Sequence, residues 1–173
     1  MRALLALLAA VLLAGCGSST DTITVTTTVT QTVTETAPDD ATALPDAVEE
    51  ARRGLLEAAQ SGDVEALEPF VTDRLSYSFG GPVEGGAIGY FRQLEAQGQD
   101  PLGTLAKLLQ LPYTLAQGNY VWPWVYSVQA TDLTDYEKQL LGEFADDFAG
   151  TTYLGYRVGI APDGTWIFFV AGD

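Results

Sequence analysis

The spacing of apolar residues changes along the chain, and in the first half of the globular part it predicts mainly helices. Apolar side chains recur every three or four positions over 45–61, which predicts an α-helix. Gly62 fits the position that follows a helix end, and Asp63 can cap a second, short helix over 64–70. Over 75–79 the period shortens to two residues, which predicts a strand.

Two further helices follow before the strands begin. An apolar stripe over 87–96 predicts the first, and Asp100 followed by Pro101 predicts the start of the second, with Pro at its first position. The segment 112–127 then predicts a hairpin that turns at 117–119.

The last part of the chain combines one helix with a terminal hairpin. Thr134 and Glu137 have the spacing of a capping box, which predicts a helix through residue 148. The turn signal Ala161-Pro162-Asp163-Gly164 separates two strand patterns, 151–160 and 165–173. Because helices and antiparallel strands occupy separate parts of the sequence, the predicted fold class is α+β.

Two strand patterns carry unusual aromatic content. In the segment YVWPWVY, alternation would place four aromatic side chains on one face: Tyr120, Trp122, Trp124 and Tyr126. These side chains can pack in the core or line a ligand cavity. Tyr77 and Phe79 complete this candidate pocket. Pro123 removes a ladder donor, so we expect an edge strand or a bulge there.

The strand predicted at 165–171 is apolar on both faces. A strand in a sheet with one solvent-exposed face would not show this pattern. The strand is therefore either central and covered, or its outer face meets another chain.

The globular part, 44–173, resembles the NTF2-like (SnoaL-like) superfamily. The resemblance rests on SGDVEALEPFVTDRLSYSFGG with its Gly62-Asp63 turn, on the strand exit 77–81, and on the final hairpin. It implies a cone in which a curved antiparallel sheet wraps around N-terminal helices. Since members of this superfamily often dimerise through the sheet, it also implies a homodimer through the terminal hairpin.

The N-terminal residues indicate export and attachment to a membrane. The apolar run 3–14 follows Arg2 and is too short to cross a bilayer, as is typical of a secretory signal. Leu13-Ala14-Gly15-Cys16 resembles the bacterial lipobox. The resemblance implies removal of 1–15, acylation of Cys16 and a lipid anchor in the cell membrane on its extracytoplasmic face. The alternative is an ordinary secretory signal beside an incidental cysteine.

A threonine-rich tract separates this anchor from the globular part. Thr occupies every even position from Thr20 to Thr36, with β-branched residues on several odd ones. Such alternation fits a strand that joins a sheet edge or an extended, solvated stalk. We favour a stalk over 16–43, because the tract has too few large apolar groups to offset the entropy of ordering.

Charge and composition exclude several function classes. The formal net charge is −15, and it becomes −16 when Arg2 leaves with the signal segment. Nucleic acid would repel such a chain. The sequence has no histidine and its one cysteine is Cys16, so we expect no cofactor, no Ser-His-Asp or Cys-His catalysis and no zinc site of the usual ligands.

Carboxylates and tyrosines are the acid–base groups that remain. Glu143, Asp146 and Asp147 would share one face of the predicted helix, as calcium ligands or, as we favour, as a solvated acidic surface. Some NTF2-like enzymes, of the ketosteroid isomerase type, pair carboxylates with a tyrosine. Matching candidates are the acids Asp63, Asp73, Glu84 and Glu95 and the phenols Tyr77, Tyr90 and Tyr126.

These observations predict a lipid-anchored extracytoplasmic protein whose domain binds a ligand or a partner without catalysis. One alternative is a carboxylate–tyrosine acid–base enzyme that acts on an apolar small molecule. Another is a dimerising structural module of the cell envelope.

Overall fold

The structure is a computed structural model and describes residues 43–172. The predicted signal segment 1–15, Cys16 and the threonine-rich stalk up to residue 42 lie outside the described residues. Within 43–172 the helices are α1 (Asp46–Gln60), α2 (Gly86–Ala96), α3 (Pro101–Leu108) and α4 (Asp135–Leu141). Short 3-10 helices span Val64–Phe70, Trp124–Ser127, Ala130–Asp132 and Gly142–Asp147. The strands are β1 (Thr114–Ala116), β2 (Asn119–Trp122), β3 (Phe148–Ala149), β4 (Thr152–Tyr153), β5 (Arg157–Ile160) and β6 (Trp166–Val170).

The helix starts predicted from capping residues are confirmed. Asp63 accepts a hydrogen bond from the backbone N–H of Glu65, and Asp100 accepts one from Gly103. Thr134 and Glu137 form the reciprocal bonds of a capping box at α4. Each side chain satisfies a helix-end N–H that has no partner within the helix.

The sheet is antiparallel and carries the core on one face. Its strand order is β1-β2-β5-β6, and β3 and β4 form a separate small hairpin. Cross-strand partners share a face, which places on the core side Tyr120, Trp122, Val158, Ile160, Trp166 and Phe169. Phe91 of α2 packs against this side, with its ring centroid 6.1 Å from Trp166 and 5.8 Å from Phe169. The α+β class is therefore confirmed.

The prediction of a strand at 75–79 is wrong except at one residue. Ser76 alone bridges to β6, where its N–H donates to the carbonyl of Ile167 and its carbonyl accepts from Phe169. On either side of Ser76, local hydrogen bonds turn the chain away from β6. The N–H of Leu75 donates to the carbonyl of Thr72, and Ser78 Oγ accepts from the N–H of Gly80.

The helix predicted through residue 148 ends much earlier. α4 stops at Leu141, and Gly142 has a φ of 58°, a conformation that glycine adopts readily and that ends a helix. The chain continues as the 3-10 helix Gly142–Asp147. Glu143, Asp146 and Asp147 therefore do not share an α-helical face.

The aromatic strand predicted over 120–126 is also interrupted. β2 ends at Trp122, because Pro123 has no N–H to donate to the sheet. The N–H of Trp124 bonds instead to the carbonyl of Pro112, and the chain turns into the 3-10 helix Trp124–Ser127. Trp124 and Tyr126 consequently do not extend the row begun by Tyr120 and Trp122.

The two-sided apolar pattern of the last strand has a local explanation. β6 is an edge strand of the four-stranded sheet rather than a central one. A register shift beside Ile160 breaks the alternation, and it pairs Gly159 with Phe168 on the outer face. The Phe168 ring lies where a side chain at Gly159 would stand. Val170, on the same outer face, is buried.

Candidate functional site

An open cleft lies beside the first hairpin and has a volume of about 410 Å³. Its floor includes Leu109, directly after α3, and Trp122, the last residue of β2. Both side chains are almost fully buried. Half-buried side chains form the rim, among them Leu44, Arg52, Leu111 and Tyr113. The lining is therefore mainly apolar and aromatic, as is usual for sites that bind small molecules.

Tyr113 joins the cleft to the aromatic row of β2. Its ring centroid is 5.5 Å from that of Tyr120 and 5.6 Å from that of Trp122. The register that pairs Thr114 with Val121 brings Tyr113 opposite Trp122 one step further along the hairpin. Burial, with a smaller contribution from Tyr120, raises the pKa of the Tyr113 phenol.

An ion pair from α1 forms the polar side of the cleft. Arg52 donates from Nε and Nη2 to the two carboxylate oxygens of Glu49, at 2.8 and 2.7 Å. Its Nη1 donates to the carbonyl oxygen of Leu109 at 2.9 Å. The hydrogen bond from Arg52 lowers the pKa of Glu49, and the same bond raises the pKa of Arg52.

The structure brings together only part of the predicted aromatic pocket. Trp122 lies on the cleft floor, and Tyr120 is linked to it through Tyr113. Tyr77 packs against Tyr90 instead, with ring centroids 5.6 Å apart, and Phe79 is 62% exposed.

The other two aromatic residues of the YVWPWVY segment point to different surroundings. Trp124 belongs to the hydrophobic core. Its buried Nε1 has no hydrogen bond of standard geometry. Hydrogen bonds from Thr134 are the main cause that lowers the pKa of Glu137, and the nearby Trp124 indole contributes in the same direction. Tyr126 is 36% exposed, and the guanidinium of Arg157 lies 5.2 Å from its ring centroid.

Sequence reasoning missed Leu44, Glu49, Arg52, Leu109, Leu111 and Tyr113 as lining residues of the cleft. Two signals for them were present. Glu49 and Arg52 have the i, i+3 spacing of a helical ion pair. A two-residue hairpin turn at 117–118 would have placed Tyr113 opposite Trp122. Nothing in the local pattern indicates that the end of α3 meets α1.

The acids proposed for ketosteroid-isomerase-type chemistry do not enter a pocket. Asp63, Asp73, Glu84 and Glu95 are all exposed. The partly buried Asp147 and the buried Tyr153 approach each other over Gly155. Burial is the main cause that raises the pKa of both groups. The Tyr153 hydroxyl donates to the carbonyl of Tyr156 at 3.0 Å, and neither residue lines the cleft.

The three acidic residues Glu143, Asp146 and Asp147 lie in different surroundings. Glu143 pairs with Lys107, whose Nζ lies 2.7 Å from Oε1, and this contact raises the pKa of Lys107. Asp146 is exposed, whereas Asp147 is partly buried. Over 43–172 no group of three or more His, Cys, Asp or Glu side chains has the geometry to hold a metal ion.

Comparison with known proteins supplies no relative. No protein-family model, no curated protein and no solved structure matches the sequence. In the part of the chain that the structure describes, none of the helices combines the length and the apolar character needed to cross a membrane.

Proposed function

We propose that this chain is a membrane-anchored extracytoplasmic lipoprotein whose domain binds a small ligand in the cleft beside Trp122 and does not catalyse a reaction. The observation that carries the binding role is the cleft itself, a concave, mainly apolar surface with Tyr113 at its rim. The lack of histidine in the sequence and the exposure of the four candidate acids support a non-catalytic role.

The anchor rests on the sequence Leu13-Ala14-Gly15-Cys16. Two or more acyl chains on Cys16 would hold the protein durably, because each buried CH₂ contributes about 0.8 kcal/mol. The test is mass spectrometry of the N-terminal peptide after expression in a bacterium. An acylated Cys16 at the new N-terminus supports the anchor. A free thiol, or an uncleaved leader in the cytosolic fraction, contradicts it.

We also propose that the α+β domain is a variant of the NTF2-like cone. In support, the domain begins with a long helix, a Gly62-Asp63 turn and a short helix, and it ends in a strand hairpin. The core face of its antiparallel sheet packs against a helix. An experimental structure with a flat sheet, or with helices on both of its faces, would contradict this proposal.

Ligand binding is tested on the full chain with Cys16→Ser, labelled with ¹⁵N at the indole nitrogens. Fragment-sized neutral, anionic and cationic aromatic molecules are titrated while the Trp122 signal is followed. We expect at least one to shift it, and Leu111→Asp at the cleft rim to abolish the shift. Leu115→Asp is the matched control, because Leu115 lies on the same hairpin, is 62% exposed and does not line the cleft. If no probe moves the Trp122 signal, the proposed binding site is wrong.

A further inference from the structure

We infer that the cleft beside Trp122 selects uncharged, mainly apolar ligands, and this inference rests on the proposed binding function. Its basis is the Glu49–Arg52 pair, since these are the charged side chains that line the cleft within the described part of the chain. Each already satisfies the other. The cleft therefore presents apolar walls and a charge-compensated rim.

Most of the hydrogen-bonding capacity of the Arg52 guanidinium is used within the protein. Three of its nitrogens donate inside the protein, two to Glu49 and one to the carbonyl of Leu109. One N–H on Nη1 and one on Nη2 remain, but an anion that accepted from them would lie close to the Glu49 carboxylate and be repelled by it. The long-range field opposes anions too, because residues 44–173 carry seven basic and 19 acidic groups.

A cation finds no free carboxylate in the cleft either. Both oxygens of Glu49 accept from Arg52, and a cation that approached their remaining lone pairs would be repelled by the adjacent guanidinium. Gln110 has an uncharged side chain, and its Nε2 donates to the carbonyl of Ala106 at 2.8 Å. An uncharged ligand can bury apolar surface against the half-buried rim residues Leu44, Leu111 and Tyr113 without breaking any of these bonds.

Three probes with one apolar skeleton test the inference: 2-naphthol, naphthalene-2-sulfonate and 2-naphthylmethylammonium. Each is titrated into the full chain carrying Cys16→Ser, with the Trp122 indole signal as the readout. We expect 2-naphthol to bind at least about tenfold more tightly than either charged probe, the ratio that corresponds to one uncompensated interaction of about 1.4 kcal/mol.

Glu49→Gln supplies a second, positive test. This variant frees the Arg52 charge while keeping the size of the side chain, so the affinity for the sulfonate should rise about tenfold. Glu50→Gln is the matched control, because it removes the same charge from an exposed neighbouring position that does not line the cleft. The control should leave the order of the three affinities unchanged.

The outcomes separate the ligand class from the binding function. If a charged probe binds to the original chain more tightly than 2-naphthol, the inference is overturned while the cleft remains a binding site. If Glu49→Gln and Glu50→Gln change sulfonate binding equally, the ion pair does not set selectivity and the inference is again overturned. If no probe, in this trio or in the wider set, shifts the Trp122 signal, the proposed function itself fails.

Discussion

The ring of Tyr113 packs across the first hairpin against the indole of Trp122, with the two centroids 5.6 Å apart. Trp122 is only 1% exposed, whereas Tyr113 is half-buried at the rim of the cleft. Tyr113 therefore covers part of the core and also shapes the cleft surface that a ligand would meet. Stability and binding should both depend on this one aromatic contact.

Tyr113→Ala should lower the free energy of unfolding by about 2–3 kcal/mol, less than for a fully buried aromatic residue, because the side chain is half-buried. The loss of the ring should also shift tryptophan emission to longer wavelength, since water gains access to Trp122. Both effects are measured by urea unfolding followed by fluorescence.

Two control variants separate loss of this contact from loss of any tyrosine. Tyr113→Phe keeps the ring and should change stability by less than about 1.5 kcal/mol. Tyr136→Ala removes a side chain that is 71% exposed, and it should change stability by no more than about 0.5 kcal/mol. Equal effects of Tyr113→Ala and Tyr136→Ala would contradict the assigned role of Tyr113.

The register of this hairpin shows where sequence reasoning reaches its limit. The sequence predicts a hairpin with a turn over 117–119, and the hairpin is confirmed. The turn itself is one residue shorter: Gln117 and Gly118 have φ of 52° and 79°, and Ala116 pairs with Asn119. A difference of one residue changes every cross-strand partner. The predicted turn over 117–119 therefore yields the hairpin but not the contact between Tyr113 and Trp122, which requires the two-residue turn.

Local signals were sufficient for the helix starts and insufficient for the helix and strand ends. Asp63, Asp100 and Thr134 act through bonds to residues two or three positions away, so their capping roles can be predicted from sequence. The early end of α4 depends on the conformation of Gly142. Pro123 ends β2, but the path of the chain after it depends on a bond from Trp124 to the carbonyl of Pro112. The cleft combines α1, the end of α3 and the hairpin, and such tertiary contacts have no local signature.

Gly159, the one glycine within the described strands, should not tolerate a side chain. A methyl group there would collide with the Phe168 ring, which lies directly over it. Gly159→Ala should therefore lower the free energy of unfolding by about 1–3 kcal/mol, the usual cost of overpacking. Thermal or urea unfolding measures the change.

Gly81→Ala is the matched control, because open space surrounds Gly81 and its φ is not in the left-handed range. It should change stability by no more than about 0.5 kcal/mol. Adding Phe168→Ala should cancel part of the Gly159→Ala cost, which a double-mutant cycle detects as a coupling between the two sites. Additive effects would show that the ring is not the cause.

Asp163 should stabilise the terminal hairpin at neutral pH and lose this effect in acid. Its carboxylate accepts from the N–H of Thr165 at 3.0 Å and from Arg74 Nη1 at 2.9 Å. The bonds from Thr165 and Arg74 lower the pKa of Asp163 to about 2. An unfolded aspartate has a pKa of about 3.9, so the stabilisation is present above that pH and lost as the pH falls towards 2.

The stability of the original chain and of Asp163→Asn is compared by thermal unfolding between pH 7 and pH 2. We expect the variant to be less stable at pH 7 and the difference to shrink below pH 4. Glu50→Gln removes an exposed charge elsewhere, and it should not reproduce the pH-dependent loss. A constant difference between the original chain and Asp163→Asn over the whole range would refute the assignment.

Asp147 should have the opposite dependence on pH. Burial is the largest cause that raises its pKa, and repulsion from Asp146 and Glu143 acts in the same direction. Its ionised form is therefore disfavoured in the folded protein. As the pH rises, Asp147 loses its proton near pH 3.9 in the unfolded chain but only at a higher pH in the folded protein. Between these two pH values the folded state loses stability as the pH rises.

Asp147→Asn should consequently raise the melting temperature at pH 7, and this gain should disappear near pH 3, where the original carboxyl group is protonated. A general benefit is expected from removing any negative charge, because the chain has a net charge of −15. Asp73→Asn measures that benefit at an exposed position. If Asp147→Asn gains no more than Asp73→Asn at pH 7, desolvation and local repulsion do not act on Asp147, and the electrostatic account of the 3-10 helix Gly142–Asp147 fails.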